Sequence, residues 1–370
     1  MTSSSHLEAT TSTISDAHTY YNNAQEQGLD RRNESIILYL RNFNNWIKSI
    51  LIDEHLKLLR NERPDRGDDI HVFDMGCGKG GDRKKWDVGR VKHVTFSDIA
   101  ENLVELCKER QKKSGCLYCT KFFPLDCTRG LVRDEFDTTE PRFDLVSSQF
   151  VLHYSFDKIE SANRFLRNAA ELLRVGGYFI GTTVNSCALV ERCRKSPDQT
   201  ISNNVFKVVF DSSINLNTTD TESIPLFGAK YHFSLDDVVD CPEYLVYFPL
   251  LEKLASNHGL ELVDRQTFKD YFNIHSKTSD GQKLLKIMKA LERYESTTNN
   301  THGRPIDRIQ YEHAEKYIGE NSEKHSNPTR SCRTLSQQEW DITSLYVTFS
   351  FKKVRQVKYD DNDHGEPTTQ

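Results

Sequence analysis

The 370-residue chain lacks any long hydrophobic run, and no segment approaches the roughly 18–20 apolar residues that a membrane-spanning helix needs. Its beginning, MTSSSHLEATTSTISDAHTY, has neither the basic start nor the apolar stretch of a secretory signal, so we expect no signal peptide. The chain also lacks a surplus of basic residues, because 49 Lys and Arg stand against 54 Asp and Glu, a net charge of −5. A protein that bound nucleic acid over its whole surface would be basic, so any RNA contact here requires a local basic patch.

The hydrophobic share, 36% of residues, is below the roughly 45–50% of an average globular domain, while charged residues make up an ordinary 28%. These figures predict a folded core with polar tails or insertions rather than a disordered chain. The nine cysteines are odd in number and scattered, which favours an intracellular protein with reduced thiols. The Cys-x-x-Cys at 116–119 has no second pair nearby to complete a structural zinc site, so the sequence predicts no metal centre.

Apolar residues recur in patterns that predict alternating strands and helices. The segment 34–59 has apolar residues three and four apart, which predicts one amphipathic helix or two helices joined near Asn44. Alternation of strands with helical spacing predicts a parallel sheet with helices on both faces. The predicted strands are 70–76, 93–99, 121–126, 143–150, 176–184, 260–268 and 344–353, and the further predicted helices are 103–113, 161–174 and 247–259.

Polar segments set the expected limits of the folded part. Residues 1–17 are rich in Ser and Thr, and both they and residues 354–370 are expected to be disordered tails. Residues 18–353 are expected to form one domain, with a polar insertion at about 187–224 that we interpret as a loop or lid.

The sharpest local motif is VFDMGCGKGGDRKKW, residues 72–86, where a predicted strand runs into a turn with glycines at 76, 78, 80 and 81. Glycines there allow a tight turn and a close approach of a ligand to the backbone. Asp98 lies 22 residues beyond Gly76, at the end of the next strand, where a carboxylate can bind both hydroxyls of a ribose. The motif therefore indicates a cofactor with a nucleoside. The alternative is a purely structural glycine turn in which Asp98 caps a helix.

Two cofactors suit this arrangement. A dinucleotide needs a helix N-terminus for its pyrophosphate, whereas S-adenosylmethionine has no phosphate and needs room for a sulfonium and an amino-acid tail. Asp126 ends the third predicted strand, within reach of an adenine amine, and Gln149 ends the fourth. Polar residues at three strand ends favour adenosylmethionine, and a nicotinamide-dependent dehydrogenase ranks last.

Two further features lie beside this predicted site. His153 and Tyr154 follow the fourth strand, where the acceptor of a methyl group must lie. Basic residues outnumber acidic ones by six to two in 79–92, a local charge of +4 that could hold a phosphate chain or could be a solvated helix face. The residues concerned are Lys79, Arg83, Lys84, Lys85, Arg90 and Lys92 against Asp82 and Asp87, and Arg110 is a further candidate for this patch.

The whole set of motifs resembles the eukaryotic mRNA cap guanine-N7 methyltransferases over roughly residues 19–353. The resemblance rests on YYNNAQEQGLDRR (20–32), LRNFNNWIKS (40–49), the 72–86 motif, FDLVSSQFVLHYSF (143–156), GGYFIGTTVNS (176–186), LFGAKYHFSLDDVVDCPEYLVYFPLLEKLA (226–255) and SLYVTFSFKK (344–353). It implies a class I methyltransferase fold, a Rossmann-like seven-stranded α/β sheet whose last strand is antiparallel. It also implies methyl transfer from S-adenosylmethionine to guanine N7 of GpppN-capped RNA.

The resemblance further implies which residues contact each ligand. Adenosylmethionine is expected to contact Asn44, Lys48, Gly76, Asp98, Asp126, Gln149 and Tyr154. The cap is expected to contact Asn44, Asn45, Lys79, Lys85, Arg110, His153, Glu243 and Tyr346. Glu243 would accept hydrogen bonds from the guanine N1–H and 2-amino group and so distinguish guanine from adenine.

The implied reaction needs no general base, because guanine N7 has a free lone pair and carries no proton, so His153 and Tyr154 would position the substrate. A nuclear, monomeric enzyme is implied, with the capping enzyme, the RNA polymerase II machinery or a small activating subunit as possible partners and no membrane contact. Two alternatives stay open. One is a methyltransferase for another nucleotide or small molecule, and the other is a cap-binding relative without turnover.

Overall fold

In the computed structural model, the described residues are 35–136, 140–216, 224–236, 238–295, 300–301, 304–305, 307–322 and 331–359. The expected tail 1–17 lies outside them. Within these ranges no helix is both long and apolar enough to span a bilayer.

The strands alternate with helices over most of the chain. The strands are β1 (His71–Met75), β2 (His93–Asp98), β3 (Cys119–Pro124), β4 (Phe143–Gln149), β5 (Leu173–Val184), β6 (Thr200–Ser202), β7 (Phe206–Phe210), β8 (Lys230–Leu235), β9 (Val239–Tyr244), β10 (Leu260–Thr267), β11 (Glu292–Glu295), β12 (Asn300–Thr301), β13 (Arg304–Pro305), β14 (Ser331–Thr334) and β15 (Tyr346–Lys353). The α-helices are α1 (Leu38–Glu62), α2 (Arg83–Val88), α3 (Glu101–Ser114), α4 (Ile159–Ala170), α5 (Ser186–Lys195), α6 (Phe248–Asn257), α7 (Phe268–His275), α8 (Ser279–Ile287), α9 (Glu312–Ser322) and α10 (Gln337–Thr343). Short 3-10 helices occupy Val132–Glu135, Leu152–Asp157 and Arg308–Tyr311.

Seven strands form the central sheet, in the order β10-β15-β5-β4-β1-β2-β3. Only β15, the last strand in the chain, runs antiparallel to its neighbours β5 and β10. Every residue of β4 is buried, as expected for a central strand of a parallel sheet whose two faces are both covered. The predicted class I methyltransferase fold is therefore confirmed.

The connections explain where the helices pack. The chain moves outward from β1 to β3, then returns to β4 and moves the other way to β5. Crossovers between parallel strands are right-handed. The chain moves along the sheet in one direction through α3, between β2 and β3, and in the opposite direction through α4, between β4 and β5, so these two helices pack on opposite faces of the sheet. Within the segment predicted at 34–59, α1 runs from Leu38 without a break at Asn44, continues to Glu62, and buries Phe43, Trp46 and Ile47.

The segment expected to be a loop at 187–224 contains regular structure, and that expectation was wrong. It includes most of α5 and the strands β6 and β7, which join β8 and β9 in a four-stranded antiparallel sheet. On β7, Phe206, Val208 and Phe210 are buried while Lys207 is exposed, so a strand periodicity is present within a polar segment. Residues 217–223 lie outside the described part, and the boundaries of the insertion stay a prediction.

The C-terminal expectation also needs a correction, because residues 354–359 pack against the body of the protein. Val357 is buried, and the Tyr359 hydroxyl lies 2.9 Å from Nδ1 of His258. The Tyr359 ring also lies 4.4 Å from the guanidinium of the buried Arg167. Residues 360–370 of the expected tail lie outside the described part.

We predict that Gly181→Ala destabilises the central sheet. A Cβ at Gly181 on β5 would lie 2.1 Å from the carbonyl oxygen of Ser148 on β4 and 2.5 Å from the Phe349 ring on β15. Overpacking of this kind costs about 1–3 kcal/mol of unfolding free energy, which urea titration would measure. Gly319→Ala on α9 is the control, because no atom lies within 4 Å of its Cβ position. Equal stability of the two variants would contradict the prediction.

Candidate active site

A cleft of about 380 Å³ opens where the parallel strands end. Asp98 from β2 and Gln149 from β4 line it, together with Asp126, which follows β3 closely. Pro242 and Tyr244 of β9 also line it, so the second sheet supplies one of its walls. Ligands of open α/β sheets bind outside the carboxyl ends of the strands, where this cleft lies.

The floor of the cleft is the glycine turn, residues 76–81. Gly76, Gly78 and Gly80 have φ values of +78°, +51° and +73°, a conformation that residues with a side chain rarely adopt. The backbone N–H groups of Gly76 and Cys77 both donate to the carbonyl of Ser97, at 2.8 and 2.9 Å, which ties the turn to β2. A Cβ at Gly78 would meet no atom within 4 Å, so the backbone there is open to a ligand.

Asp98 holds the turn from the other side. Its Oδ2 accepts a hydrogen bond from the Gly78 N–H at 2.8 Å, and its Oδ1 accepts one from the Ala100 N–H at 3.0 Å. Asp98 does not cap α3, because it bonds the N–H of Ala100, the N-cap residue, and not an N–H of the first helical turn. The same carboxylate also lines the cleft, so these two contacts fix a group that a ribose could bind.

Six of the seven predicted cofactor residues line the cleft: Lys48, Gly76, Asp98, Asp126, Gln149 and Tyr154. Asp126 is oriented by the N–H and the hydroxyl of Thr128, at 2.9 and 2.6 Å. Asn44 does not line the cleft, but its Oδ1 is buried without a hydrogen-bond partner among the described residues. Their roles toward the cofactor stay predictions.

The charges beside the glycine turn fit S-adenosylmethionine and oppose a dinucleotide. Asp82, directly before α2, is buried and lines the cleft, so a carboxylate occupies the helix start where a pyrophosphate would need N–H donors. The carboxylates of Asp98 and Asp126 suit hydroxyl and amine donors instead. The residues present therefore fit adenosylmethionine.

Asp82 is the centre of a buried charge network. Lys48 Nζ lies 2.9 Å and Lys85 Nζ 2.6 Å from its Oδ1, and Lys85 also donates to Asn45 Oδ1 at 3.1 Å. Burial alone would raise the pKa of Asp82, but the two ammonium groups hold it below its usual range. Burial, with the charge of Asp82 nearby, raises the pKa of Asp74 to about 7. Lys85 and Asn45 thus lie one layer behind the cleft and support Asp82.

The predicted basic patch of 79–92 is not one surface, and its six cations do not act together. Lys79 lines the cleft with Arg110, whose Nη1 donates to the Lys79 carbonyl at 3.0 Å. Arg83 is buried and donates to the Ser114 hydroxyl at 2.9 Å. Lys92 lies just before β2, at the opposite edge of the sheet. Sequence proximity overstated the patch, because a turn, a helix and a loop spread these residues in space.

A second group of side chains lies beside the cleft, and we call it the Glu243 cluster: His153, Tyr231, Glu243 and Tyr346. His153 Nε2 lies 3.4 Å from Glu243 Oε1, and the Tyr231 hydroxyl donates to Glu243 Oε2 at 2.7 Å. Burial and the neighbouring carboxylate raise the pKa of Tyr231 well above its usual range, so it stays a hydrogen-bond donor. The same two causes raise the pKa of Tyr346.

The Glu243 cluster has unused hydrogen-bonding capacity. His153 is only 2% exposed, yet among the described residues its Nδ1 has no hydrogen-bond partner and its Nε2 has only the 3.4 Å contact with Glu243 Oε1. Buried polar atoms of native proteins are normally paired, so these atoms indicate a ligand. The cleft is lined by Pro242 and Tyr244, the neighbours of Glu243 on β9, and not by members of the Glu243 cluster itself; the Phe150 ring, which does line it, packs edge-on against Tyr346 with centroids 5.0 Å apart. Acceptors and aromatic rings together suit a flat base with N–H donors.

The sequence motifs did not identify Tyr231 as a candidate site residue. Its position on β8, directly opposite Glu243 on β9, follows from the register of the second sheet. The only signal was the alternation in KYHFSL, which predicts a strand but not its partner.

We predict that Asp98→Ala weakens adenosylmethionine binding by about 10- to 100-fold, because hydrogen bonds to charged groups contribute about 1.5–3 kcal/mol each. Calorimetric titration of the full chain would measure it. Asp134→Ala is the control, because that side chain is 68% exposed and lies on a 3-10 helix away from the cleft. An unchanged dissociation constant for Asp98→Ala would contradict the assignment of Asp98 to the ribose.

Comparison with known proteins agrees with this geometry. The mRNA (guanine-N(7))-methyltransferase domain matches residues 4–354. A Drosophila melanogaster mRNA cap guanine-N(7) methyltransferase is 37% identical over 361 residues, which cover 94% of this chain and 78% of that protein. A Caenorhabditis briggsae protein of the same name is 37% identical, covering 90% of this chain and 85% of that protein. An Arabidopsis thaliana mRNA cap guanine-N(7) methyltransferase 1 is 30% identical, covering 90% and 80%.

The match spans nearly the whole chain and includes the glycine turn, the cleft and the Glu243 cluster. The cofactor of this family is S-adenosylmethionine, to which the charges of the cleft are suited. The chain belongs to the mRNA (guanine-N(7))-methyltransferase domain family.

Proposed function

We propose that this protein transfers the methyl group of S-adenosylmethionine to N7 of the guanine in GpppN-capped RNA, giving m7GpppN-RNA and adenosylhomocysteine. The observation that carries the proposal is the Glu243 cluster. It is a buried carboxylate with one oxygen held by Tyr231, next to residues that line a cleft suited to adenosylmethionine.

Glu243 suits guanine because of the edge that this base presents. Guanine has two neighbouring donors, N1–H and the 2-amino group, and a carboxylate has two acceptor oxygens at a matching separation. Adenine has an acceptor at N1, so the N1 lone pair would face the oxygens of the buried carboxylate and repel them. A site built for particular donors rejects a ligand that lacks them. We therefore assign base selection to Glu243, with His153 and Tyr346 closing the site around the base.

The chemistry requires positioning rather than proton transfer. When bound, S-adenosylmethionine supplies an electrophilic methyl group with a good leaving group. Guanine N7 needs no deprotonation, so no side chain has to act as a base. The residues of the cleft hold the base in line with the methyl group and exclude water, which lowers the entropic part of the barrier. The negative charge of Glu243 also favours the positive charge that develops on guanine.

Cations at the rim of the cleft suit the triphosphate. Lys79 and Arg110 line the cleft, and both are long side chains that carry a full positive charge. We assign them to the phosphate chain, while Asn45 and Lys85 support the site through Asp82. We also propose nuclear action, a monomeric catalytic unit, and contact with the capping machinery or an activating subunit. These proposals rest on the role of the family in mRNA processing.

The first test uses the full chain with GpppA-capped RNA and methyl-labelled adenosylmethionine. We expect label in m7GpppA, and Glu243→Gln should lower kcat/KM by about 10- to 100-fold, the equivalent of one hydrogen bond to a charged group. The wild type should also prefer a guanine cap to an inosine cap, which lacks the 2-amino group. The variant should lose most of that preference.

Glu252→Gln is the matched control, because Glu252 is exposed on α6 and should behave as wild type. Unchanged adenosylmethionine binding by Glu243→Gln would show that the fold is intact. If the variant keeps the preference for guanine, Glu243 does not read the base. If the wild type binds adenosylmethionine but labels no cap, the protein acts on another substrate or is a cap-binding relative without turnover.

A second prediction concerns Tyr231, which is 1% exposed and acts through Glu243. Tyr231→Phe removes one hydrogen bond to a carboxylate, worth about 1.5–3 kcal/mol, and should raise KM for the cap by about 10- to 100-fold. KM for adenosylmethionine should not change. In the Glu243→Gln background the second substitution should have little further effect, because the two residues act as a pair. Additive effects would mean that Tyr231 acts independently of Glu243. Tyr317→Phe, at a side chain 54% exposed, is the control.

A further inference from the structure

Three side chains that the proposed reaction does not use meet at the N-terminal ends of β1 and β2, at the other end of these strands from the cleft. Asp69 lies just before β1, His71 is the first residue of β1, and His93 is the first residue of β2. The parallel register pairs His71 with His93, and one ligand atom from each of the three residues lies within 4.8 Å of the other two. We call them the His–Asp cluster.

The contacts in the His–Asp cluster are close to those of a metal site. The two imidazole rings have centroids 4.1 Å apart, and His71 Nε2 lies 3.3 Å from Asp69 Oδ1. Ligand atoms about 2.0–2.2 Å from a zinc ion lie roughly 3.3–3.5 Å from each other in a tetrahedral site. The three side chains would have to rotate to reach that spacing from within 4.8 Å, since the two rings lie tilted by 33° and their nitrogen lone pairs lie in the ring planes. The Asp69 side chain is half exposed, which leaves an entry path from solvent.

The surroundings hold these groups in place. The Ile70 carbonyl accepts hydrogen bonds from the N–H groups of Lys92 and His93, at 3.1 and 3.4 Å, so the backbones are tied together. The other oxygen of Asp69, Oδ2, lies 3.8 Å from Arg66 Nη2, which leaves Oδ1 facing His71. Outer contacts of this kind orient ligands in metal sites.

The nearby arginines converge on a buried carboxylate outside the cluster, although Arg66 also contacts Asp69. Arg63, Arg66 and Arg174 all bind the buried carboxylate of Asp144, at 2.7, 3.1 and 2.8 Å. Asp144 also accepts a hydrogen bond from the His71 N–H at 2.9 Å. One buried carboxylate thus offsets part of the guanidinium charge and fixes the backbone of a proposed ligand.

Two imidazole nitrogens and one carboxylate oxygen suit a borderline transition-metal dication rather than Mg²⁺ or Ca²⁺, which prefer oxygen ligands. We propose that Asp69, His71 and His93 bind one such ion, of the Zn²⁺ class, with water completing the coordination. The ion would link the N-terminal ends of β1 and β2, at least roughly 13 Å from the cleft at about 3.3 Å per residue of β1. Its role would be to stabilise the sheet, and the sequence prediction of no metal centre would be wrong.

The experiment is a calorimetric titration of the full chain with Zn²⁺, with Co²⁺ absorption spectra as an independent measure of nitrogen and oxygen coordination. We expect one ion per chain, and an apparent melting temperature that rises with Zn²⁺ because the ion binds only the folded state. His71→Ala/His93→Ala should weaken binding by at least about tenfold and remove the thermal shift. Asp69→Asn, at a half-exposed side chain, gives a milder variant if the double variant does not fold.

Two controls keep the test specific. His232→Ala removes an exposed histidine whose Nε2 lies 2.7 Å from Asp240 but which belongs to no group of three possible metal ligands among the described residues, and binding should not change. Cys116→Ser/Cys119→Ser removes the thiol of Cys119, which is opposite His93 in register, together with the other thiol of the Cys-x-x-Cys motif, and binding should again not change.

Three results would overturn the proposal: no binding by the wild type, equal binding by the His71/His93 variant, or binding that disappears with the cysteines. All variants should bind adenosylmethionine as the wild type does, which would confirm that each one is folded.

Discussion

The rest of the site depends on one interaction, in which the carbonyl of Ser97 binds the backbone of the glycine turn. Two successive N–H groups of the turn donate to this one oxygen, and Asp98, the next residue, accepts from Gly78. The turn after β1 is thereby fixed to the end of β2, because the two strands are parallel neighbours. Because the glycine turn and Asp98 both line the cleft, these contacts join two of its walls.

The second sheet adds what the Rossmann-like sheet alone would not provide. A parallel sheet with a glycine turn can hold adenosylmethionine, but the choice of acceptor requires groups that face the cofactor from another side. We propose that Tyr231 and Glu243, which are paired across β8 and β9, provide these groups together with His153 on the 3-10 helix after β4. The buried carboxylate is kept ready by a tyrosine that stays protonated. In this proposal, cofactor binding and base selection depend on two different sheets, and β9 of the second sheet also lines the cofactor cleft.

The carboxyl and amino ends of the parallel strands serve different purposes. The carboxyl ends of the strands hold the cleft, and the amino ends of β1 and β2 bring together Asp69, His71 and His93. Both groups rest on the same register between β1 and β2. A change that shifted this register would therefore move both, whereas a substitution at either end leaves the other in place.

Much of the fold was predictable because its signals are local. Apolar runs and helical spacing identified the seven strands of the central sheet, and the glycine turn with Asp98 identified the cleft from chemistry that is contiguous in the chain. The polar 187–224 segment was misjudged, because its strand alternation is short and its partner strands come later in the chain.

The sequence by itself determined the order of elements, the cofactor end of the sheet and, through the motifs, the family. Only the tertiary structure decided which distant residues meet. Tyr231 contacts Glu243 through a strand pairing, and His71 lies beside His93 through another. The structure also separated cations that are neighbours in the chain, as Lys79 and Lys92 show. The physical reason is that periodicity reports which face of an element is buried, while register and packing between elements decide what that face touches.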